Sequence, residues 1–512
     1  MAKYVCCIDQ GTSSTRAILF DKAGKVTAVH QQEFPQIYPE AGWCEHDPQD
    51  IVNSVTDCVA EACKKAKIKE GDVAAIGIAN QRETTVVWDR TTGKPLHNAV
   101  VWLDMRTKDT VTHLKEEAGG QDRFRATTGL PISTYFSAVK MRWLIDNVPT
   151  VKEAVKNHTA MFGTIDSWLM YKLCEGNPHL TDISNASRYM LMDLKTAQWC
   201  PTVCGAIGVP VECLPEIRSN SEIYGKMAEG PLKGVPISGS LGDQHAALLG
   251  HGGLDKGDCK NTFGTGCFMV ANTGEEPVPS TSGLLTTISF KLGPEAPTQY
   301  GLEGAIACAG RTIQWLRDNM GIIKEAKDTE VLAKKVGDGG GLTMVPAFSG
   351  LFAPYWEEQA KAIFVGATLY TTKEHFAYAV LESVAMQTCD ICEAMEKDLG
   401  HPVGNLLVDG GMTASELMME MQANLLNTPV IRPDMPEATA LGGAFAAGLA
   451  VGFWDNADEC RGLLGSVRTF SPKMDEEERY QARKRWKSAV ALSIAAAPNS
   501  EFNQKHGSCV VQ

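Results

Sequence analysis

An acid and an arginine bracket a run of hydroxyl side chains near the N-terminus, in the segment 9–16 (DQGTSSTR). Its glycine allows a close approach of the backbone, and its hydroxyl groups can donate to phosphate oxygens. Arg16 can neutralise phosphate charge, and Asp9 can hold a water molecule on Mg²⁺. A polar hairpin turn would explain the glycine and some hydroxyls, but not the flanking acid and base. The segment therefore predicts a phosphate-binding turn.

Two further glycine turns, 264–266 (GTG) and 409–411 (DGG), could bind a nucleotide together with the first. The turn 409–411 lies between a predicted strand at 406–408 and a predicted helix at 416–426, where exposed backbone amides suit phosphates or a ribose. The segment 9–16 is not a P-loop, and 264–266 lacks the continuation of a dinucleotide-binding fingerprint. Several turns, rather than one loop, would therefore have to hold the nucleotide.

Charged residues follow two other predicted strands. Asp243 comes after the strand 235–238 and could take a proton from a hydroxyl group, while a helix N-cap is the alternative. Arg82 and Glu83 come after the strand 73–79 and form a plausible pair for a small polyhydroxy ligand. The alternative for this pair is that both charges are solvated.

The glycine turns at 9–16 and 264–266 sit in similar predicted β-hairpins about half a chain apart. Apolar runs at 5–8 and 17–20 flank the first turn, and runs at 261–263 and 267–271 flank the second. Two interpretations of this similarity are open. The two short hairpins resemble each other by chance, or they mark two lobes of related architecture that face each other across a cleft.

The rest of the chain alternates helical and strand patterns, which predicts an α/β fold. Asp47 and Pro48 are typical of a helix N-cap and first helical residue, and further helices are predicted at 138–146, 314–319 and 374–395. The run 440–454 is too short for a membrane span and predicts a buried helix. Glycines cluster at 250–257, so we expect an N-terminal lobe at 1–252 and a C-terminal lobe at 253–512.

Composition limits the possible partners and compartment. The chain has 512 residues, with 48 basic and 61 acidic side chains and a net charge of -13, and it has no Lys/Arg-rich block. Nucleic acid is therefore not an expected partner.

The N-terminus lacks an apolar signal core, so we expect reduced cysteines and an intracellular protein that is not secreted. Residues 508–512 do not form the S-K-L signal for import into peroxisomes, but other import signals are possible. The predicted compartment is therefore the cytoplasm or the matrix of a mitochondrion or peroxisome-like organelle. Cys389 and Cys392 are expected to be buried in a helix rather than to bind metal.

Six motifs stand out along the chain: DQGTSSTR, NQRET, GTIDSWL, GDQHAALLGHG, NTFGTGCF and VDGGMTASELM. Together they resemble the FGGY family of carbohydrate kinases, and within it the members that phosphorylate glycerol. The resemblance runs from Cys7 to about Trp454. The stretch 135–147 is similar to the first signature of the family, and 362–383 fits the second less closely because Ala367 replaces a larger aliphatic residue. The resemblance implies two ribonuclease H-like lobes of the actin-type ATPase fold around a central cleft.

The resemblance also implies a reaction, in which the γ-phosphoryl group of MgATP is transferred to glycerol to give sn-glycerol 3-phosphate and ADP. Asp243 would be the general base, and Asp9 and Asp243 would lie at Mg²⁺. The residues implied for glycerol are Arg82, Glu83, Trp102, Tyr135, Asp243, Gln244 and Phe268. Those implied for ATP are Thr12, Ser13, Ser14, Arg16, Thr265, Gly310, Gln314, Gly411 and Ser415, the last replacing an asparagine of some bacterial members.

Two other functions stay open from the sequence. One is another kinase of the same family that acts on a pentulose or similar sugar, although Arg82, Glu83, Trp102 and Phe268 together favour the small triol. The other is an actin-type or chaperone-type ATPase, for which the chain after Trp454 is too short to supply a second functional domain. The family commonly forms dimers or tetramers, so the resemblance implies a homodimer or a higher homo-oligomer.

Overall fold

The computed structural model describes residues 2–69, 71–357, 359–434 and 437–497. Residues 508–512, used above for localisation, lie outside these ranges. The strands are β1 Tyr4–Gln10, β2 Ser14–Asp21, β3 Val26–Glu33, β4 Glu45–His46, β5 Val73–Asn80, β6 Val86–Asp89, β7 Ala99–Val100, β8 Ala160–Gly163, β9 Leu180–Asp182, β10 Met192–Asp193, β11 Gln198–Trp199, β12 Glu216–Arg218, β13 Ser221–Lys226, β14 Pro236–Gly242, β15 Cys259–Phe263, β16 Cys267–Gly274, β17 Leu285–Phe290, β18 Gln299–Ile306, β19 Thr343–Val345, β20 Ile363–Val365, β21 Leu406–Asp409, β22 Val430–Pro433 and β23 Val467–Phe470.

The helices alternate with these strands, as the sequence pattern predicts. They are α1 Pro48–Ala66, α2 Lys108–Ala118, α3 Arg125–Thr128, α4 Ser137–Asn147, α5 Pro149–Lys156, α6 Ile165–Leu173, α7 Ile183–Ala186, α8 Pro201–Ile207, α9 Asp243–Gly250, α10 Gly310–Asp318, α11 Asp328–Ala333, α12 Lys373–Leu399, α13 Glu416–Leu426, α14 Ala438–Ala450, α15 Ala457–Gly462 and α16 Glu476–Ala495, with short 3₁₀ helices at Val211–Cys213 and Gly411–Ala414.

Two large sheets share one strand arrangement. The first has the order β13-β14-β5-β1-β2-β3, and the second has β23-β22-β21-β15-β16-β18-β17. In each, an antiparallel hairpin continues into two parallel strands, β5 and β14 in the first and β21 and β22 in the second. An antiparallel edge strand then follows, β13 or β23. Both predicted hairpins are confirmed, and so is the prediction of two related α/β lobes.

The strand register of the first sheet brings three functional segments to one edge. Gln10 at the end of β1 lies opposite Asn80 at the end of β5, and Asn80 lies opposite Gly242 at the end of β14. These three strands are parallel, so the turn after β1, the residues after Asn80 and Asp243 after Gly242 all leave the sheet on the same side. Sheet pairing therefore gathers segments that lie far apart in the sequence.

Local signals position α1 against the first sheet. The side chain of Asp47 accepts a hydrogen bond from Gln49 N at 2.7 Å, which caps the helix that begins at Pro48. Ile51, Val55 and Val59 are fully buried on the face that packs against β2 and β3. The predicted N-cap and amphipathic helix are confirmed.

The apolar helix α14 packs against the first sheet although it lies between β22 and β23 of the second sheet in the sequence. It contacts α9, β5 and β14. A Cβ atom at Gly442 would lie 1.9 Å from the carbonyl oxygen of Ala246, and one at Gly443 would lie 2.6 Å from Cys7 Sγ. Only glycine allows this approach. The predicted tightly packed helix is confirmed, and within the described residues no helix is long and apolar enough to cross a membrane.

The cysteines of the described ranges all carry free thiols. Cys389 and Cys392 lie buried on α12, where the Cys392 thiol donates to Met269 Sδ at 3.6 Å. Both therefore pack in the core of the second lobe, as the helical spacing around them predicts.

Candidate active site

The residues that directly follow β1, β5 and β14 line a cavity of about 450 Å³, which the turn between β15 and β16 closes from the second lobe. Thr12 and Ser13 of the predicted phosphate-binding turn are among them. All seven residues predicted to contact the polyol also line this cavity: Arg82, Glu83, Trp102, Tyr135, Asp243, Gln244 and Phe268. The fold thus brings together side chains that lie far apart in the sequence, from Arg82 to Phe268.

A second cavity of about 590 Å³ lies beside the first. It is lined by the turn after β15, by the start of α10, and by the glycine turn after β21. Five residues predicted to contact the nucleotide line it: Thr265, Gly310, Gln314, Gly411 and Ser415. The two cavities share Gly264, Thr265 and Gln314. A nucleotide in the second cavity can therefore reach the first with its phosphates.

Aromatic rings form one wall of the smaller cavity. The ring centroids of Trp102 and Phe268 lie 5.8 Å apart, and those of Trp102 and Tyr135 also lie 5.8 Å apart. The indole N–H of Trp102 donates to Thr12 Oγ1 at 2.9 Å, which ties this wall to the first glycine turn. Aromatic faces beside charged groups suit a ligand with both C–H and O–H surfaces.

Arg82 and Glu83 are 3% and 1% exposed, so the interpretation that they are solvated is wrong. Arg82 donates through Nη2 to Tyr135 Oη at 3.4 Å. Glu83 has a φ of 57°, a left-handed conformation that is uncommon for residues other than glycine. Its carbonyl oxygen accepts from Ser137 Oγ at 3.1 Å, and its carboxylate accepts from Arg188 Nε at 2.7 Å. The surrounding bonds therefore hold Glu83 in a fixed, strained position at the cavity.

Asp243 is the first residue of α9, and Gly242 is the N-cap. The Oδ1 atom of Asp243 accepts a hydrogen bond from Gln244 N at 2.7 Å and lies 3.4 Å from Arg82 Nε. Burial raises the pKa of Asp243 to about 6, while the positive charges of Arg82 and Lys260 oppose the rise. The carboxylate is therefore ionised at neutral pH and accepts a proton more readily than an exposed aspartate does.

Asp9, Ser14 and Arg16 do not line either cavity. The guanidinium of Arg16 binds the carboxylate of Asp9 and also that of Glu437, the latter at 2.7 Å. Ser14 Oγ accepts from the Gln31 side chain at 3.1 Å. The predicted acid and base of the first turn are thus paired with each other through the hairpin register, in which Asp9 lies opposite Arg16.

The two domains of one known family match the two lobes. Residues 4–250 match the N-terminal domain, and residues 259–451 the C-terminal domain, of the FGGY family of carbohydrate kinases. The chain belongs to this family. The FGGY kinase is 49% identical over 498 residues to a glycerol kinase of Acidiphilium cryptum, covering 97% of this chain and 99% of the relative. It is 50% identical over 497 residues to a glycerol kinase of Chloroflexus aurantiacus, covering 96% and 99%.

Solved structures agree with the fold of the FGGY kinase. A crystal structure of Plasmodium falciparum glycerol kinase with ADP superposes with a TM-score of 0.89 at 37% identity, covering 96% of this chain and 98% of the other. A ligand-bound xylulose kinase from Lactobacillus acidophilus superposes with a TM-score of 0.86 at 22% identity, covering 98% and 100%. Together with the family match, these likenesses show the two-lobed, ribonuclease H-like, actin-type architecture that the family resemblance implies.

Beside the polyol cavity of the FGGY kinase, sequence reasoning missed the buried charges of Arg188, Lys260 and Glu303. Lys260 donates to Gln244 Oε1, to Thr262 Oγ1 at 2.9 Å and to the carbonyl oxygen of Phe268 at 3.3 Å. Burial lowers its pKa to about 8, although the carboxylates of Asp409 and Asp243 favour the charged form. A charged residue inside an otherwise apolar or small-residue strand, as in CKNTF and GLEGAI, is the signal that could have found two of them.

Lys260 fixes the orientation of the Gln244 amide. Because the ammonium group occupies Oε1, the NH₂ group of Gln244 is the part of the amide left to donate to a ligand in the cavity. The cavity thus offers donors from Arg82 and Gln244 and acceptors from Glu83 and Asp243.

Proposed function

We propose that the chain is an ATP-dependent glycerol kinase that transfers the γ-phosphoryl group of MgATP to a terminal hydroxyl of glycerol and releases sn-glycerol 3-phosphate and ADP. The observation that carries the proposal is that the polyol-type cavity and the nucleotide-type cavity meet at Thr265 and Gln314. The names of relatives about 49% identical over nearly the whole chain support the same substrate. Placing both reactants side by side supplies most of what phosphoryl transfer needs from a protein.

In this proposal, glycerol lies in the smaller cavity. Arg82 and Gln244 donate to its hydroxyl groups, and Glu83 and Asp243 accept from them, with Tyr135 as a further polar contact. Trp102 and Phe268 cover its C–H groups. Asp243 orients the attacking hydroxyl and takes its proton as the oxygen bonds to phosphorus. The raised pKa of Asp243 supports this role, since a more basic carboxylate is the better proton acceptor.

ATP lies in the larger cavity with its phosphates directed toward the smaller one. Thr265, Gly310, Gln314, Gly411 and Ser415 contact the nucleotide there. Its terminal phosphates meet the first glycine turn, for which the proposed contacts are Thr12, Ser13, Ser14 and Arg16. Because Arg16 is already bound to Asp9 and Glu437, it would contact a phosphate only through its remaining N–H groups.

Magnesium would arrive with the nucleotide. Within the described parts of the chain, three or more His, Cys, Asp or Glu side chains nowhere converge as a metal cage would require. The residues present instead fit an ion that is held by phosphates and waters and approached by one or two carboxylates, for which Asp9 and Asp243 are the candidates. Such an ion would neutralise charge on the transferred phosphoryl group.

Release of ADP, measured with a panel of polyols and no protein partner, tests the proposal. Strict dependence on glycerol supports it. Dependence on a pentulose would assign the chain to a sugar-kinase activity of the same family, and polyol-independent ADP release would indicate an actin-type or chaperone-type ATPase.

The lobe boundary near residue 252 and assembly as a homodimer or larger homo-oligomer are further parts of the proposal. Limited proteolysis tests the boundary, and light scattering tests the assembly.

A further inference from the structure

Glu303 lies in β18 of the second lobe, yet its bonds reach charged residues of the first. Its Oε1 accepts from Arg82 Nη2 at 3.0 Å and from Arg188 Nη2 at 3.1 Å, and its Oε2 accepts from Arg82 Nη1. The side chains of Glu303 and Arg188 are fully buried, and that of Arg82 is 2% exposed. One carboxylate therefore binds two guanidinium groups out of contact with water.

The network continues from Arg188 to the cavity. The Nε atom of Arg188 donates to Glu83 Oε1, and its guanidinium lies 5.6 Å from the centroid of the Tyr135 ring. Through Arg188, Glu303 thus acts on Glu83, whose backbone is in the left-handed region. Through Arg82, it acts on a group that lines the cavity directly.

We propose that Glu303 is a positioning residue for polyol binding, which fixes Arg82 directly and Glu83 through Arg188. The inference rests on the proposed function and adds that the second lobe completes the polyol site of the first. Nothing in it requires Glu303 to contact the substrate.

Charge balance supports this role. Glu303, Glu83, Arg82 and Arg188 carry two negative and two positive charges, and Asp243 and Lys260 at the cavity add one of each sign, so these charges balance only while Glu303 is present and ionised. Burial alone would raise the pKa of Glu303, but the guanidinium groups of Arg188 and Arg82 lower it to about 2. Without this carboxylate, the Nη atoms of Arg82 would keep only the longer bond to Tyr135 Oη, at 3.4 Å, and the guanidinium would be held less firmly toward the cavity.

The variant Glu303→Gln tests the proposal. The amide keeps one carbonyl oxygen and places an NH₂ group against a guanidinium donor. We expect the KM for glycerol at saturating ATP to rise by about ten- to a hundredfold, the size of a lost charged hydrogen bond. The KM for ATP should stay within about twofold because no residue of the network lines the nucleotide cavity. Glycerol titrated without nucleotide, followed by the intrinsic tryptophan fluorescence to which Trp102 of the cavity contributes, should show the same loss of affinity.

Asp390→Asn is the matched control. Asp390 is a buried carboxylate of α12 in the same lobe that accepts from Arg483 at 3.1 Å and from Trp486 Nε1 at 2.6 Å. We expect its loss to lower Tm and to leave the KM for glycerol unchanged. If Glu303→Gln changes neither glycerol constant, or changes the constants for both substrates equally, or behaves like Asp390→Asn, the positioning role is wrong.

A second variant decides the question if Glu303→Gln does not fold. Arg188→Lys keeps the charge but cannot bind Glu83 and Glu303 through a fork, so a selective rise in the KM for glycerol is expected again. An unchanged KM would overturn the proposal. Wild-type protein is assayed first: ADP release that is independent of glycerol would refute the proposed function, whereas glycerol dependence with unaffected variants would refute only the role of Glu303.

Discussion

Arg82 Nε lies 3.4 Å from Asp243 Oδ1, and the two residues follow the ends of neighbouring parallel strands. The contact joins the substrate-side guanidinium to the carboxylate proposed as the base. It keeps this buried carboxylate ionised near neutral pH, although burial raises its pKa. The residues proposed for polyol binding and for proton transfer therefore share one ion pair.

Removal of the base should separate binding from turnover. We expect Asp243→Asn to reduce kcat by about 10² to 10⁴, because the attacking hydroxyl loses its proton acceptor while most of its polar contacts stay in place. Glycerol binding, measured by tryptophan fluorescence, should stay largely intact. Asp109→Asn on the exposed face of α2 is the control. Near-normal turnover of Asp243→Asn would remove this residue from the mechanism.

The pH dependence of catalysis should report the same carboxylate. Since the base acts in its ionised form and its pKa is about 6, kcat/KM for glycerol should be constant above about pH 7. Below about pH 6 it should fall about tenfold per pH unit as the carboxylate is protonated. Steady-state kinetics from pH 5 to about 8 measure this limb. An acid limb that persists unchanged in Asp243→Asn would assign it to another group.

A methyl group at the start of α10 should weaken nucleotide binding selectively. A Cβ atom at Gly310 would lie 2.6 Å from the carbonyl oxygen of Gly264, so Gly310→Ala must push the helix away from the turn that joins the two cavities. We expect the KM for ATP to rise about tenfold with little change for glycerol. Gly205→Ala in α8 is the control, because its Cβ atom meets open space. Equal effects of both variants would contradict this account.

Loss of the α1 cap should affect stability alone. Asp47→Ala removes the hydrogen bond to Gln49 N and should lower the free energy of unfolding by about 1 kcal/mol. Urea denaturation measures the change, and the kinetic constants for both substrates should stay at wild-type values because Asp47 lines neither cavity. A loss of activity without a loss of stability would show that α1 positions the site.

Much of the local structure is predictable from the sequence. The hairpin around the first turn, the N-cap of α1 and the range 416–426 of α13 follow from patterns within about ten residues, where backbone and side-chain preferences act directly. Arg82, Glu83, Asp243 and the three glycine turns were predicted from the residues themselves, whereas the other cavity residues came from the resemblance of short motifs to a family. Neither source indicated that Arg16 also binds Glu437, because that carboxylate lies 421 positions beyond it in the sequence.

The sequence by itself determined the two hairpins, several of the helices and strands, and the residue types able to bind a polyol and a nucleotide. Only the tertiary structure decided that the two cavities share Thr265 and Gln314, that α14 packs on the sheet of the other lobe, and that Glu303 binds Arg82 from 221 positions away. Local patterns report the preferences of neighbouring residues. A buried ion pair forms between residues that are distant in the sequence, and only the packing of the two sheets brings such residues together and excludes water from them.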